Sequence, residues 1–375
     1  MIPFNRASFD GNELTYLARA VSDGYVSGNG PFGKAAEQLL GEGHRSARAL
    51  LTTSCTHSLE LAALLLELEP GDEVIVPSYT FVTTASAFMM HGGRPVFVDV
   101  RADTLNLDLA AVEAAITPRT KAICLVHYGG VAAQPDEFRA LADRHGISLV
   151  EDNAHGLFGT YRDRPLGTFG RMSSLSFHET KNLTCGEGGA LVINDASLVE
   201  RAEILREKGT NRSQFLRGAI DKYTWVDIGS SWVLSDLLAG VLLGQLERFD
   251  EIQTRRHALW DRYHVCLASW ADRHDVATLV VPDGCGHTAH LFHLRLADLE
   301  TRDRFIAHLR AHGALCVFHY QALHLSAVGR RLGGTEGMCP VSEHAGDTLV
   351  RLPLFASLRD DEQGRIIEAI TSFSP

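Results

Sequence analysis

The sequence predicts an α/β fold, with a mainly parallel central sheet followed by a smaller C-terminal α+β domain. Three observations carry this reading. From about residue 33 to residue 195, short apolar runs alternate with amphipathic helical patterns. Those runs are almost continuous in β-branched and apolar residues, so their strands need cover on both faces, as parallel strands with crossover helices have. One long helical pattern then runs from about 235 to 270, and beyond it strand-like and helical segments are shorter and mixed. At 375 residues the chain is long enough for two domains. We place them at 1–240, N-terminal segment included, and at 241–375 with the linking helix.

Taken in order, ALLTTS (49–54) predicts a strand and THSLELAALLLEL (56–68) a helix, with its N-cap in the hydroxyl cluster before it. DEVIVP (72–77) is a second strand, and TFVTTASAFMMHGG a helix stopped by glycines. RPVFVDV (94–100), KAICLVHY (121–128) and ISLVED (147–152) are further strands, separated by the amphipathic helices LDLAAVEAAI and QPDEFRALADRHG. ALVIND and the charged helix SLVERAEILREKG follow Gly189. The segment 210–232 is polar and aromatic without periodicity, which in a compact protein marks a functional loop or an interface. The pattern at 235–270 reads as a single spine. HTAHLFHLRL (287–296) and ALCVFHY then read as strands, with RDRFIAHLRAHG as a helix between them.

Hydrophobic content of 45% and charged content of 22% describe an ordinary globular protein. A net charge of −11 offers no electrostatic footprint for nucleic acid or an anionic membrane. The N-terminus lacks a signal-peptide pattern, and no apolar run is long enough to span a bilayer. The seven cysteines are odd in number and form no CxxC pair, so we expect no metal site, no disulfide framework and a cytoplasmic location.

Open parallel sheets bind ligands at the carboxyl ends of their strands. Several notable residues fall there. Lys181, in SFHETKNLTCGEGG, is one of only five lysines among 35 basic residues. Alone it reads as a solvated charge; partly desolvated at a strand end, it has the lowered pKa that suits a Schiff base. Asp152 either caps a turn or pairs with the protonated ring nitrogen of pyridoxal phosphate (PLP). Cys55 and Thr56, behind Ser54, start a helix whose amides and dipole would also hold a phosphate. Phe81 is either core or a stacking face, and His155 either an interior histidine or a cofactor contact. Their joint order, phosphate turn, aromatic, Asp, Ser, then Lys, favours a PLP site.

The chain resembles the DegT/DnrJ/EryC1/StrS family of PLP-dependent sugar aminotransferases, of the aspartate aminotransferase-like fold (fold type I). GDEVIVPSYTFVTTASA, PVFVDV, VEDNAHG, SFHETKNLTCGEGGALVIND and, more weakly, VFHYQALH carry the resemblance over nearly the whole chain. MIPFN, REKGTNRSQFLRG and DKYTWVDIGSSW are similar to the bacterial subgroup that makes dTDP-4-amino-4,6-dideoxygalactose. The resemblance implies that Lys181 bonds the cofactor and carries the proton. It implies that Asp152 meets the pyridine nitrogen, His155 the phenolic oxygen, Phe81 the ring, and Cys55, Thr56 and Ser176 the phosphate. It also implies a homodimer with shared sites, in which Ser231 of GSSWVLSD stands where relatives have an Asn that reaches the partner's phosphate. HYQALH lacks the family's proline, so the resemblance assigns only a sugar-side position to His319 and Tyr320. Arg212 and Arg217, in the 210–232 segment, read either as a solvated face or as contacts to a nucleotide diphosphate.

The implied substrates are L-glutamate and a 4-keto-6-deoxy nucleotide sugar. Rivals are another sugar carrier or regiochemistry, a PLP-dependent dehydratase (disfavoured by Lys181) and a non-catalytic PLP-binding regulator. A Rossmann oxidoreductase is disfavoured, since GEGG is not GxGxxG and does not open the first βα unit.

Overall fold

The apolar runs of the first half form one sheet in the computed structural model, which describes all of residues 1–375. Its strands are β1 (Arg48–Thr52), β2 (Glu73–Pro77), β3 (Arg94–Val98), β4 (Thr120–Val126), β5 (Ser148–Asp152), β6 (Met172–Ser176) and β7 (Gly189–Ile193). Their order across the sheet is β1-β7-β6-β5-β4-β2-β3. Strands β2 to β6 pair in parallel, whereas β7 runs antiparallel to both β6 and β1.

Alternation within the runs divides them between two cores. Leu50, Val74, Val76, Cys124 and Val150 share one cluster with α3 (Cys55–Leu65), α4 (Thr83–Met90) and α7 (Val199–Arg206). Ile75, Ile123, Leu125 and Leu149 face α5 (Leu109–Ala115) and α6 (Pro135–His145) on the other side. Ala49 and Leu51 face α2 (Pro31–His44) and α9 (Asp236–Glu247). Each fully buried Val, Leu or Ile contributes about 1.5–3 kcal/mol of transfer free energy. That is why the runs are apolar at every position and not only at alternate ones.

The spine is two helices, not one. α9 ends at Arg248, whose φ and ψ of −104° and 14° break the helix before α10 (Phe249–Arg273). Arg248 is held in that turn by Glu251 at 2.7 Å and Glu13 at 3.6 Å. The C-terminal unit has a four-stranded antiparallel sheet of β8 (Ala277–Thr278), β9 (His293–Arg295), β10 (Val317–Phe318) and β11 (Leu349–Arg351), in the order β8-β9-β11-β10. Only the end of the expected strand 287–296 is a strand. Its first half cannot join a ladder because α10 and Asn182 take its carbonyls. Gln253 and Asn182 donate to the Thr288 carbonyl, Arg256 to those of Ala289 and His290, and Trp260 to that of Leu291.

The first residues of the N-terminal segment, assigned above to the large domain, also touch the C-terminal unit. Ile2 donates to the Gly313 carbonyl at 2.7 Å, accepts from Leu315, and sits in the C-terminal core. Asn5 then reaches back to the Glu179 carbonyl at 2.7 Å, so this segment bridges both units beside Lys181. Residues 210–232 contain one short helix, Arg212–Leu216, and are otherwise irregular. The loop carries a run of exposed apolar residues, with Trp225 76% exposed. No helix is long and apolar enough to cross a membrane.

Candidate active site

The carboxyl ends of β1, β2, β5 and β6 open into a cavity of about 770 Å³ between the two units. Cys55, Thr56, Phe81, Asp152, His155, Ser176, Lys181, His319 and Tyr320 all line it. At one end of it lies the N-terminus of α3, where the Ser54 hydroxyl caps the helix by accepting from the His57 amide at 3.1 Å. Gly189 makes this possible. A Cβ there would lie 2.3 Å from the Ser54 carbonyl carbon and 2.4 Å from the Cys55 nitrogen. The last glycine of GEGG thus lets β7 start directly against the helix terminus. Burial pushes the Cys55 thiol up to about 12, helped by the nearby Asp152 charge, so it stays neutral.

Asp152 ends β5 and is buried. Its Oδ2 accepts from Thr84 Oγ1 at 2.8 Å, and its Oδ1 from the Ala154 amide at 3.2 Å. Thr84, on α4, was not legible as a site residue. Lys181 follows β6 in a turn closed by its own amide on the His178 carbonyl at 2.9 Å. Its amine forms no ion pair. Burial lowers its pKa to about 8, against a partial offset from Cys55 and Asp152. Asn182, the next residue, is fixed by donating to the Thr288 carbonyl at 2.8 Å and accepting from His290 Nδ1 at 2.8 Å.

His155 lies on His290 with ring centroids 4.1 Å apart, and burial holds both imidazoles well below their ordinary pKa. Because His155 Nδ1 accepts from the Gly129 amide at 3.3 Å, its proton resides on Nε2. Phe81 stands at the mouth, 54% exposed, with its ring 6.2 Å from that of Tyr320. His319 bonds the Tyr128 hydroxyl at 2.6 Å and lies against Tyr320. Arg351, from β11, also lines the cavity. His290, Tyr128 and Arg351 had no motif around them and escaped the sequence reading.

Three expected residues are elsewhere. Arg212 pairs with Glu207 at 3.2 Å and Arg217 with Glu203 at 2.7 Å, both outside the cavity. Ser231 is exposed and bridges to Glu207 on the same outer loop. No cluster of three metal-ligating side chains is present, and all seven cysteines are free.

A family model of the DegT/DnrJ/EryC1/StrS aminotransferases matches residues 8–371. The chain belongs to that family. Its structure is similar to an aminotransferase, TlmJ, from Streptoalloteichus hindustanus, with 30% identity and a TM-score of 0.90 over 99% of this chain and 98% of that one. DesV of S. venezuelae, solved with a ketimine intermediate, is 33% identical with a TM-score of 0.88 over 97% and 95%. A protein described as a sugar aminotransferase from Streptococcus pneumoniae, in its PMP form, is 28% identical with a TM-score of 0.92 over 99% and 97%. This family member is a PLP-dependent transaminase of fold type I. Its own residues fit the cofactor: an open helix N-terminus for phosphate, a buried carboxylate for a ring nitrogen, an exposed aromatic face, and an amine whose neutral form is accessible near physiological pH.

Proposed function

We propose that the enzyme moves the amino group of L-glutamate to C4 of a 4-keto-6-deoxy nucleotide sugar. The sugar we infer is dTDP-4-keto-6-deoxyglucose, giving dTDP-4-amino-4,6-dideoxygalactose. The observation that carries the reaction is Lys181: a desolvated, unpaired amine on the cavity wall that Asp152 and the α3 terminus also line. The sugar class is supported by the similarity to the pneumococcal protein described as a sugar aminotransferase and by the subgroup motifs MIPFN, REKGTNRSQFLRG and DKYTWVDIGSSW.

When bound, PLP supplies an exchangeable aldehyde carbon and an electron sink. The chain's residues do the rest. Asp152, fixed by two hydrogen bonds to its oxygens, would pair with the ring nitrogen. Cys55, Thr56 and Ser176 would bind the phosphate, Phe81 would stack on the ring, and His155 would offer Nε2–H to the phenolic oxygen. Lys181 Nζ would be the base that takes the proton from the glutamate α-carbon and passes it on to the cofactor as 2-oxoglutarate forms. In the second half-reaction it would take that proton back and deliver it to the sugar C4. An arginine there could not do this, because it stays protonated.

We further propose a cytoplasmic homodimer in which residues 210–232 cover the partner's cavity. The exposed apolar run there supports that arrangement, as does the position of Ser231, Arg212 and Arg217 outside their own chain's cavity. In it Ser231 contacts the partner's phosphate, Arg212 or Arg217 the nucleotide diphosphate, and His319 and Tyr320 the sugar. Other carriers and a 3-keto sugar are the competing substrates. Incubation with glutamate and dTDP-4-keto-6-deoxyglucose should give the amino sugar with the galacto configuration at C4; no product, or the gluco epimer, would reject this substrate or stereochemistry.

A further inference from the structure

Arg351 is a guanidinium with no counter-ion. It projects from β11 into the same cavity as Lys181, and no carboxylate lies within 4.0 Å of it. One Nη donates only to the Phe318 carbonyl, at 3.3 Å, and Nε is buried without a partner. The Phe4 ring, 4.7 Å from the guanidinium, backs it on one side. A charge so placed is costly to leave alone.

The cavity offers few other permanent charges. Burial keeps His155, His290 and His319 neutral near physiological pH. His178 stands by Glu187 at 3.6 Å, and that glutamate is largely exposed. Lys181 is the other cation, but it is consumed in bonding the cofactor. Arg351 is therefore the one lasting positive charge inside, and it acts on the same space, since its field lowers the Lys181 pKa.

We propose that Arg351 receives a carboxylate of the amino donor, and so makes the enzyme select an amino acid over a neutral amine. This rests on the transaminase reading above and adds its donor-specificity residue. Chemistry favours the carboxylate over the sugar's diphosphate. In an amino acid the α-carboxylate is one bond from the reacting carbon. In a nucleotide sugar the diphosphate is separated from C4 by the whole ring. A cation lining the same cavity as Lys181 matches the shorter span, and the guanidinium fork matches a carboxylate edge.

The test uses the full-length, PLP-loaded enzyme as wild type, Arg351→Gln and Arg351→Lys. Succinate, which has carboxylates but no amine, is titrated by calorimetry. Glutamate and the amino-sugar product are titrated separately through the cofactor's visible absorbance. Arg351→Gln should weaken both succinate and glutamate by roughly 10- to 100-fold, as expected for a lost charge-assisted pair. The amino-sugar constant and the resting spectrum should move far less, and Arg351→Lys should recover part of the loss. A larger change in the sugar constant than in glutamate, equal changes in both, or unchanged succinate binding would overturn the assignment. A wild type that ignores glutamate but binds succinate through Arg351 would instead reject the transaminase reading and keep the carboxylate site.

Discussion

Thr84 Oγ1 donates to Asp152 Oδ2 at 2.8 Å, tying the first turn of α4 to the carboxyl end of β5. A carboxylate that is to pair with a ring nitrogen must be held in one orientation. This bond and the one from the Ala154 amide engage both of its oxygens on the cavity wall. Thr84→Val removes one of them at almost constant volume. A hydrogen bond to a charged group is worth about 1.5–3 kcal/mol, so PLP affinity and kcat should each fall roughly 10- to 100-fold. Equilibrium PLP titration and steady-state kinetics check this.

Lys181 gives a pH prediction with a definite sign. Its pKa is lowered to about 8 from the ordinary lysine value of 10.5, and the reactive form is the neutral amine. At pH 7 roughly a tenth of the chains carry that form, against well under a thousandth for an ordinary lysine. The rate of PLP capture by the apoprotein should therefore rise through pH 7–8 and level off above it. Stopped-flow absorbance measures it; a rate still rising tenfold per unit at pH 10 would contradict the lowered pKa.

Two glycines of GEGG, Gly186 and Gly189, should respond differently to alanine. At Gly189 a Cβ meets the backbone of Ser54 and Cys55 within 2.5 Å, so the α3 terminus must shift. Gly189→Ala should cost about 1–3 kcal/mol and most of the PLP affinity. At Gly186 the obstacle is only the positive φ of +89°, with nothing within 4 Å. There the cost should be about 1 kcal/mol, with PLP affinity retained. Thermal melts and PLP titration of both variants make the comparison.

Trp225, 76% exposed, is the most accessible large hydrophobic side chain of residues 210–232. If that loop covers the partner's cavity, Trp225→Asp should shift a dimer toward monomer and weaken PLP retention together. Analytical ultracentrifugation with and without cofactor reads both effects. A wild type that is monomeric with PLP bound would contradict the shared site.

Most of the sheet was legible because its strands are buried on both faces and so carry an uninterrupted apolar signal, as in Val74, Ile75 and Val76. The strand-end residues were legible because motif and position agreed at Asp152, Ser176 and Lys181. What was missed depends on long-range capture. The irregular run at 288–292 follows from Gln253, Asn182, Arg256 and Trp260 taking its carbonyls, and no local pattern encodes that. Arg351 looks like any arginine on a short strand until the fold brings it to the cavity. The helix break at Arg248 has no Gly or Pro to announce it. Arg212 and Arg217 pair with Glu207 and Glu203 outside their own chain's cavity, a placement that no local pattern encodes.

Lys181 is the amine proposed to bond the cofactor. Reduction of the PLP-loaded protein with borohydride, followed by peptide mass spectrometry, tests this directly. One pyridoxyl-phosphate label is expected, on the peptide containing SFHETKN and assigned to Lys181, and none in Lys181→Ala. A label on Lys34, Lys121, Lys208 or Lys222 in place of Lys181, or no label on a protein that holds PLP, would contradict it.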